Sequence, residues 1–210
     1  MCLQKNQRIF GQNLMSVQNE EVEAPEMPET PDYRRVAIPP NRRTYLKNNF
    51  PQITEPIIKY LKLDLRYNSR KGCVELRTNA LTSNPNAMTK AIDFLTAINA
   101  GFEIADALAL VRLEDIFMDV FDVTDIKLIE GDNLSRAVGR IAGKGGQIKF
   151  TIENATHTRI SLTGTKVHIL GSVNNVKMAR RVICDLVMGS PANKIYSKLR
   201  NFQAWQKRQG

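Results

Sequence analysis

Four residues, Gly143-Lys144-Gly145-Gly146, hold the strongest chemical signal in this sequence. Ala137, Val138, Ile141 and Ala142 before them fall at helical spacing, and Ile148 and Ile152 after them are four apart. The glycines therefore form a tight turn between two helices, not a loop after a strand. A G-x-x-G turn opening onto a helix exposes backbone N–H groups with no Cβ in the way. The first amides of the following helix are unpaired and carry the positive end of its dipole. Such a place suits an anion, above all a phosphate. Lys144 takes a variable position of the turn, and Arg136, Arg140 and Lys149 flank it. A P-loop needs four residues between its glycines and a hydroxyl after its lysine; here three residues separate Gly139 from Gly143, and Gly145 stands at the hydroxyl's place. A dinucleotide fingerprint needs a further glycine where Ile148 stands.

Charge points the same way. The 210 residues carry a net +9, distributed as −4 over residues 1–32, +2 over 33–130 and +11 over 131–210. An excess gathered beside the glycine turn is the footprint of a polyanion-binding surface. Cys2, Cys73 and Cys184 are odd in number and far apart, which suits reduced thiols, with Cys73 and Cys184 packed in apolar segments. The longest apolar run, Ala107–Val111, is too short to span a bilayer, and no charged-then-apolar leader opens the sequence. A nuclear or cytosolic protein with no membrane partner is expected, and the sequons at Asn133 and Asn154 are chance matches.

The elements that must position the turn follow in order. Residues 1–33 are acidic, proline-rich and poor in large apolar side chains, so a disordered tail is expected. Arg35–Ile38 reads as a strand stopped by Pro39-Pro40. A helix follows from Asn41, then, past Pro51, a second one carrying Ile53, Ile57, Ile58 and Leu61. Leu63–Tyr67 and Cys73–Arg77 alternate as strands, and a longer helix begins near Asn86. Ile104, Leu108 and Val111 share one face of a bridging helix. The same order then recurs: a strand from Phe117 running to Leu128, a helix for which Asp132 is the expected cap, the glycine turn, and a second helix. Strands Thr158–Leu162 and Lys166–Leu170 precede a closing helix, Val173–Met188, stopped by Gly189 and Pro191.

Two copies of one β-α-α-β-β-α pattern organise the chain. The boundaries expected are a 1–33 tail, a first domain over 34–100, a connecting helix over 101–114, a second domain over 115–190 and a basic amphipathic helix over 191–210. That last helix has Ile195, Leu199, Phe202 and Trp205 at helical spacing. Docking on the core is its default reading; a protein partner or RNA are the others. In the first copy the turn reads Asn48-Asn49-Phe50-Pro51. Proline lacks an N–H and Phe50 blocks close approach, so this copy has no phosphate clamp. It serves packing or a protein partner, although Arg34, Arg35, Arg42 and Arg43 leave contact with RNA open.

In this setting the glycine turn resembles that of the KH module, which clamps about four nucleotides of a single strand. The fold expected is α+β: two tandem KH-like domains, each a three-stranded sheet backed by helices, the first degenerate, plus a C-terminal helix. Ser135–Lys144, Lys149–Thr156, Asp106–Leu110, His168–Ser172 and Gly189-Ser190-Pro191 together resemble the partner-of-Nob family of small-subunit ribosome assembly factors, over residues 34–200. The resemblance implies a non-enzymatic protein that binds pre-ribosomal RNA near the 3′ end of the small-subunit rRNA. It implies work with the Nob endonuclease, which makes the final cut there, a link to the rRNA dimethyltransferase, and contact with pre-40S particle proteins. It places the protein in the nucleolus and, with the pre-40S particle, in the cytoplasm. By motif position Gly143, Lys144, Gly145 and Gly146 become the RNA clamp, with Arg140 and Lys149 beside it. Two positions depart from pattern: Gly145 replaces an acidic residue expected in this family, which favours phosphate, and Lys149 stands where many KH domains place an apolar residue.

No catalytic constellation accompanies the turn. His157 and His168 sit at and within strands, and the cysteines lack metal-ligand spacing. Asp115, Asp119, Asp122 and Asp125 read as a solvated strand face, without the glycine of a calcium loop. Neither a metal nor a cofactor is expected. The mechanism is one of holding: glycine-turn amides on phosphates, Ile141, Ile152 and Ile160 as an apolar floor beneath the bases, and Arg136, Arg140, Lys149 and Arg159 as screened attraction. The alternatives are a general KH protein acting on messenger RNA and a protein scaffold with an acidic partner.

Overall fold

The computed structural model describes residues 32–82 and 84–209. Cys2 and the expected tail up to residue 31 lie outside the described residues; Tyr33, its last residue, already belongs to a strand. The first half runs β1 (Tyr33–Ala37), α1 (Pro40–Asn48), α2 (Phe50–Pro56), a π-helical turn (Ile57–Leu61), β2 (Leu63–Asn68), β3 (Cys73–Thr78) and α3 (Ala87–Ala100), with α4 (Ile104–Arg112) after it. Pro40 starts α1 and Pro51 sits in the first turn of α2, where no N–H is missed. Pro56 lies at the end of α2, where the regular ladder loses a donor and the chain widens into the π turn. Ile58 is exposed on that turn, whereas Ile53, Ile57 and Leu61 are buried.

The second half repeats the order: β4 (Ile116–Asp122), a short α5 (Val123–Ile126), α6 (Asp132–Ala142), a 3-10 turn (Lys144–Gly146), α7 (Gln147–Thr156), β5 (Arg159–Thr163), β6 (Lys166–Ser172) and α8 (Val173–Val187). The C-terminal helix α9 spans Ala192–Gln209. Both sheets are antiparallel, in the orders β1-β3-β2 and β4-β6-β5.

Three expectations need correction here. The strand from Phe117 stops at Asp122 instead of reaching Leu128. Asp122 accepts from the Thr124 amide at 3.1 Å, and Asp125 accepts from the Asp122 amide at 3.1 Å, a capping box that turns the chain into α5. Asp132 is the first residue of α6 and not its cap; Gly131, at φ 58°, holds that position. The aspartates are also more than a solvated face. Asp119 pairs with Arg180 of α8 at 2.9 Å, and Asp122 also accepts from the Thr165 hydroxyl at 2.9 Å.

Each half has its own core, and the two cores stack. Val74, Leu76, Leu63 and Phe94 anchor the first, and Ile141, Ile152, Ile169 and Val182 the second. Alternation along the second sheet sends Val167, Ile169 and Ile160 towards α6–α8. Its other face presents Ile116, Met118 and Leu170, and these pack into the first core, alongside α3 and α4. Ser161 and Thr163 donate to the Ala100 carbonyl at 2.6 and 3.0 Å, and Arg159 pairs with Asp106 at 3.1 Å. The order of layers is sheet, helices, sheet, helices. Ile195 and Leu199 of α9 are buried in the second core, so this helix docks on the fold as its default reading has it. Cys73 and Cys184 are free; Cys73 is buried, while burial of Cys184 pushes its thiol above the usual value. Among the described residues no helix is long and apolar enough to cross a membrane.

Candidate nucleic-acid interface

Helix α6 is built to end at the glycine turn. Ala137 and Ile141 are buried, Leu134 and Val138 pack beside them, and Arg136, Gly139 and Arg140 face solvent. The Gly143 amide closes the helix by donating to Gly139 O at 2.8 Å. Gly143 then adopts φ 74° and ψ 178°, a conformation held essentially by glycine alone. A Cβ there would lie 2.6 Å from Ile148 Cγ1, so the turn folds back directly onto the first apolar residue of α7.

The next glycines do something different. Gly145 (φ 63°) and Gly146 (φ 80°) are left-handed, and a Cβ on either would meet nothing within 4 Å. Space above this turn is open. Gly146 donates to Gly143 O at 3.2 Å and Gln147 to Lys144 O, while no described protein group accepts from the Lys144 or Gly145 amide. Two donors without a described acceptor, an exposed Lys144 and the N-terminal end of α7 therefore lie together in one exposed turn. In the first half the matching turn has Asn49 at φ −105°, its side chain donating to Tyr45 O at 3.0 Å. The Phe50 ring packs 6.3 Å from that of Tyr67 on β2. No cradle forms there.

The cations sort into three groups. Lys144 stands on the turn itself. Arg136 and Arg140 have no carboxylate partner among the described residues and line a cavity of about 380 Å³ with Lys127, Leu128 and Met188. Arg140 points towards Gly189, lying 3.5 Å from where a Cβ on that glycine would be. Lys149 is held by Glu153 at 3.8 Å, and the same buried carboxylate accepts from the Ile160 amide at 2.7 Å. Arg159 is tied to Asp106 and braces the two halves instead of lying free beside the turn.

The apolar floor is the clear miss. Ile141 and Ile152 are 0% exposed and Ile160 2%, so all three belong to the core and none reaches a base. Helical spacing marks a residue as inward without saying whether inward means the core or a groove. The sequence reading also missed Ile148 as the partner that fixes Gly143, and Glu153 as the residue steering Lys149. The second was signalled by its i,i+4 spacing.

Sequence and structure comparisons bear on the same regions. A model of the second KH domain of PNO1, described as a eukaryotic type KH domain (type I), matches residues 120–204, and one of the first KH domain of Krr1 matches residues 35–115. The RNA-binding protein pno1 of Dictyostelium discoideum is 53% identical over 80% of this chain and 70% of its own length. The pre-rRNA-processing protein pno1 of Schizosaccharomyces pombe is 47% identical over 83% of this chain and 72% of its own. Among solved structures, a complex of a/eIF2alpha, aDim2p and rRNA from Pyrococcus horikoshii contains a chain that superposes with a TM-score of 0.73 at 28% identity, covering 84% of this chain and 96% of that one.

Proposed function

The chain belongs to the PNO1 family of KH-domain proteins, and on that premise we propose that it holds the pre-ribosomal RNA of the small subunit through the Gly143–Gly146 turn. The observation that carries this reading is the turn itself: left-handed glycines, two unsatisfied amides and open space above them, beside uncompensated Lys144. A phosphate entering there accepts from the amides, and Lys144 adds a charge-assisted contact. Arg136 and Arg140 supply attraction from the adjacent face of α6, and Lys149 lies in the first turn of α7.

The strand held is the segment near the 3′ end of the small-subunit rRNA. The protein keeps it single and positioned until the Nob endonuclease makes the final cut; the rRNA dimethyltransferase and other pre-40S proteins are further partners. The role is one of holding, with the cut supplied by the nuclease. Assembly begins in the nucleolus and the protein travels with the pre-40S particle to the cytoplasm. Support for this comes from the relatives named as pre-rRNA-processing proteins and from the rRNA complex of the structural neighbour.

The test is an in vivo crosslinking map of RNA on the intact protein. Crosslinks should gather near the 3′ end of small-subunit rRNA and vanish in a Lys144→Asp, Gly145→Asp double variant. A map spread over messenger RNAs would replace ribosome assembly with general RNA binding, and an unchanged map in the double variant would remove the clamp.

A further inference from the structure

A groove between α8 and α9 lies apart from the glycine turn. Met178 and Arg181 line it from α8, and Lys198, Asn201, Phe202 and Trp205 from α9, around about 460 Å³. The rings of Phe202 and Trp205 stack with centroids 5.8 Å apart and planes 25° from parallel. Phe202 is half-buried, whereas Trp205 remains 45% exposed, so one ring anchors the pair and the other offers an open face. Gln206 of α9 donates to Asn175 Oδ1 at 2.8 Å and pins this end of the helix to the start of α8.

Charge around the rings is one-sided. Lys198 pairs with Asp185, but Arg181 is exposed and has no carboxylate partner among the described residues. Residues 186–210 contain Lys194, Lys198, Arg200, Lys207 and Arg208 and no acidic residue. Gly189, three residues before α9, faces Arg140, which lies three residues before Gly143. From Ala192 to Trp205 the helix then covers about 20 Å at ~1.5 Å per residue.

We propose that this groove is a second contact for the same RNA strand, with one base stacked on Trp205 and a neighbouring phosphate on Arg181. The proposal rests on the RNA reading of the glycine turn and extends it to a footprint longer than the roughly four nucleotides a KH turn holds. An open ring beside an uncompensated guanidinium is what a nucleotide requires, since every base has a π-face. A protein partner needs roughly 800 Å² on its side of an interface. One exposed ring flanked by Met178, Arg181, Lys198 and Asn201 offers much less apolar surface than that.

Trp205 is the sole tryptophan of the chain, so its fluorescence reports this groove alone. The intact protein is titrated with a labelled single-stranded RNA tetramer and a dodecamer of mixed sequence, reading label anisotropy and tryptophan emission together. The dodecamer should quench Trp205 saturably, and the tetramer, held at the turn and too short to occupy both places, should not. Arg181→Glu and Trp205→Ala should each weaken the dodecamer about tenfold and leave the tetramer unchanged. Dodecamer binding without quenching, and at full strength in both variants, overturns the groove while leaving the clamp. Quenching that survives in the Lys144→Asp, Gly145→Asp variant, with tetramer binding lost, supports both sites as separate. Quenching by an acidic, apolar peptide and not by RNA would assign the groove to a protein and overturn the proposal.

Discussion

Gly143→Ala and Gly145→Ala are the same chemical change two residues apart, and the structure separates their effects. At Gly143 the new methyl meets Ile148 Cγ1 at 2.6 Å and Ile148 Cβ at 2.9 Å, in a backbone conformation reserved for glycine. The conformational strain costs about 1–3 kcal/mol, and forcing a methyl into packed atoms costs about 1–3 kcal/mol more. Part of this is relieved if α7 shifts, so we expect a net loss of about 3 kcal/mol. At Gly145 the methyl meets nothing, and only the left-handed backbone is penalised, at about 1 kcal/mol. Urea unfolding followed by far-UV circular dichroism should place the Gly143→Ala midpoint about 1 M below that of Gly145→Ala, for a slope of ~2 kcal/mol/M. RNA affinity should rank differently. Gly145→Ala puts a methyl on the open surface and should bind several-fold more weakly while fully folded. Equal midpoints for the two variants would refute the packing role assigned to Gly143.

Further outcomes follow from the same geometry. The Lys144→Asp, Gly145→Asp variant should lose about tenfold in RNA affinity per contact removed, a charge-assisted hydrogen bond being worth roughly 1.5 kcal/mol. Removing Lys144 should also flatten the dependence of log affinity on log salt by about 0.7, measured by anisotropy across a salt series. Glu153→Ala strands the Ile160 amide in a buried position and should destabilise by about 1–3 kcal/mol in chemical denaturation, whereas Glu153→Gln, which keeps an acceptor, should lose less. Burial, aided by Lys166, pushes the His168 imidazole below its ordinary value. The unfolded chain then takes up a proton that the folded chain resists, so stability should fall as pH drops below about 6.5. The urea midpoint should decline between pH 7.5 and 5.5, and His168→Gln should flatten that decline.

The glycine turn and the repeated element order were legible in the sequence because they depend on local chemistry. Glycine spacing, prolines at element starts and period-two strands act over a few residues. The lost ground has physical causes. Val120, Phe121 and Val123 are β-branched or aromatic, so the strand looked longer than Asp122, although the Asp122–Asp125 spacing that ends it was present. Ile141 and Ile152 share their spacing with any core residue, and only their burial shows that they support the turn from beneath. Arg159 meets Asp106 from another half of the chain, a pairing no local pattern announces.

The sharing of α3 and α4 between both sheets has a consequence for how this protein can be taken apart. The half without a glycine cradle is the roof of the half that has one. Ile116, Met118 and Leu170 would turn from core into surface if residues before Ile116 were removed. An isolated second half should therefore be sticky and aggregate, however complete its own element list. The economical dissection is by point variants in the whole chain, because what resembles two modules in sequence is a single mechanical object in which the silent copy keeps the working one rigid.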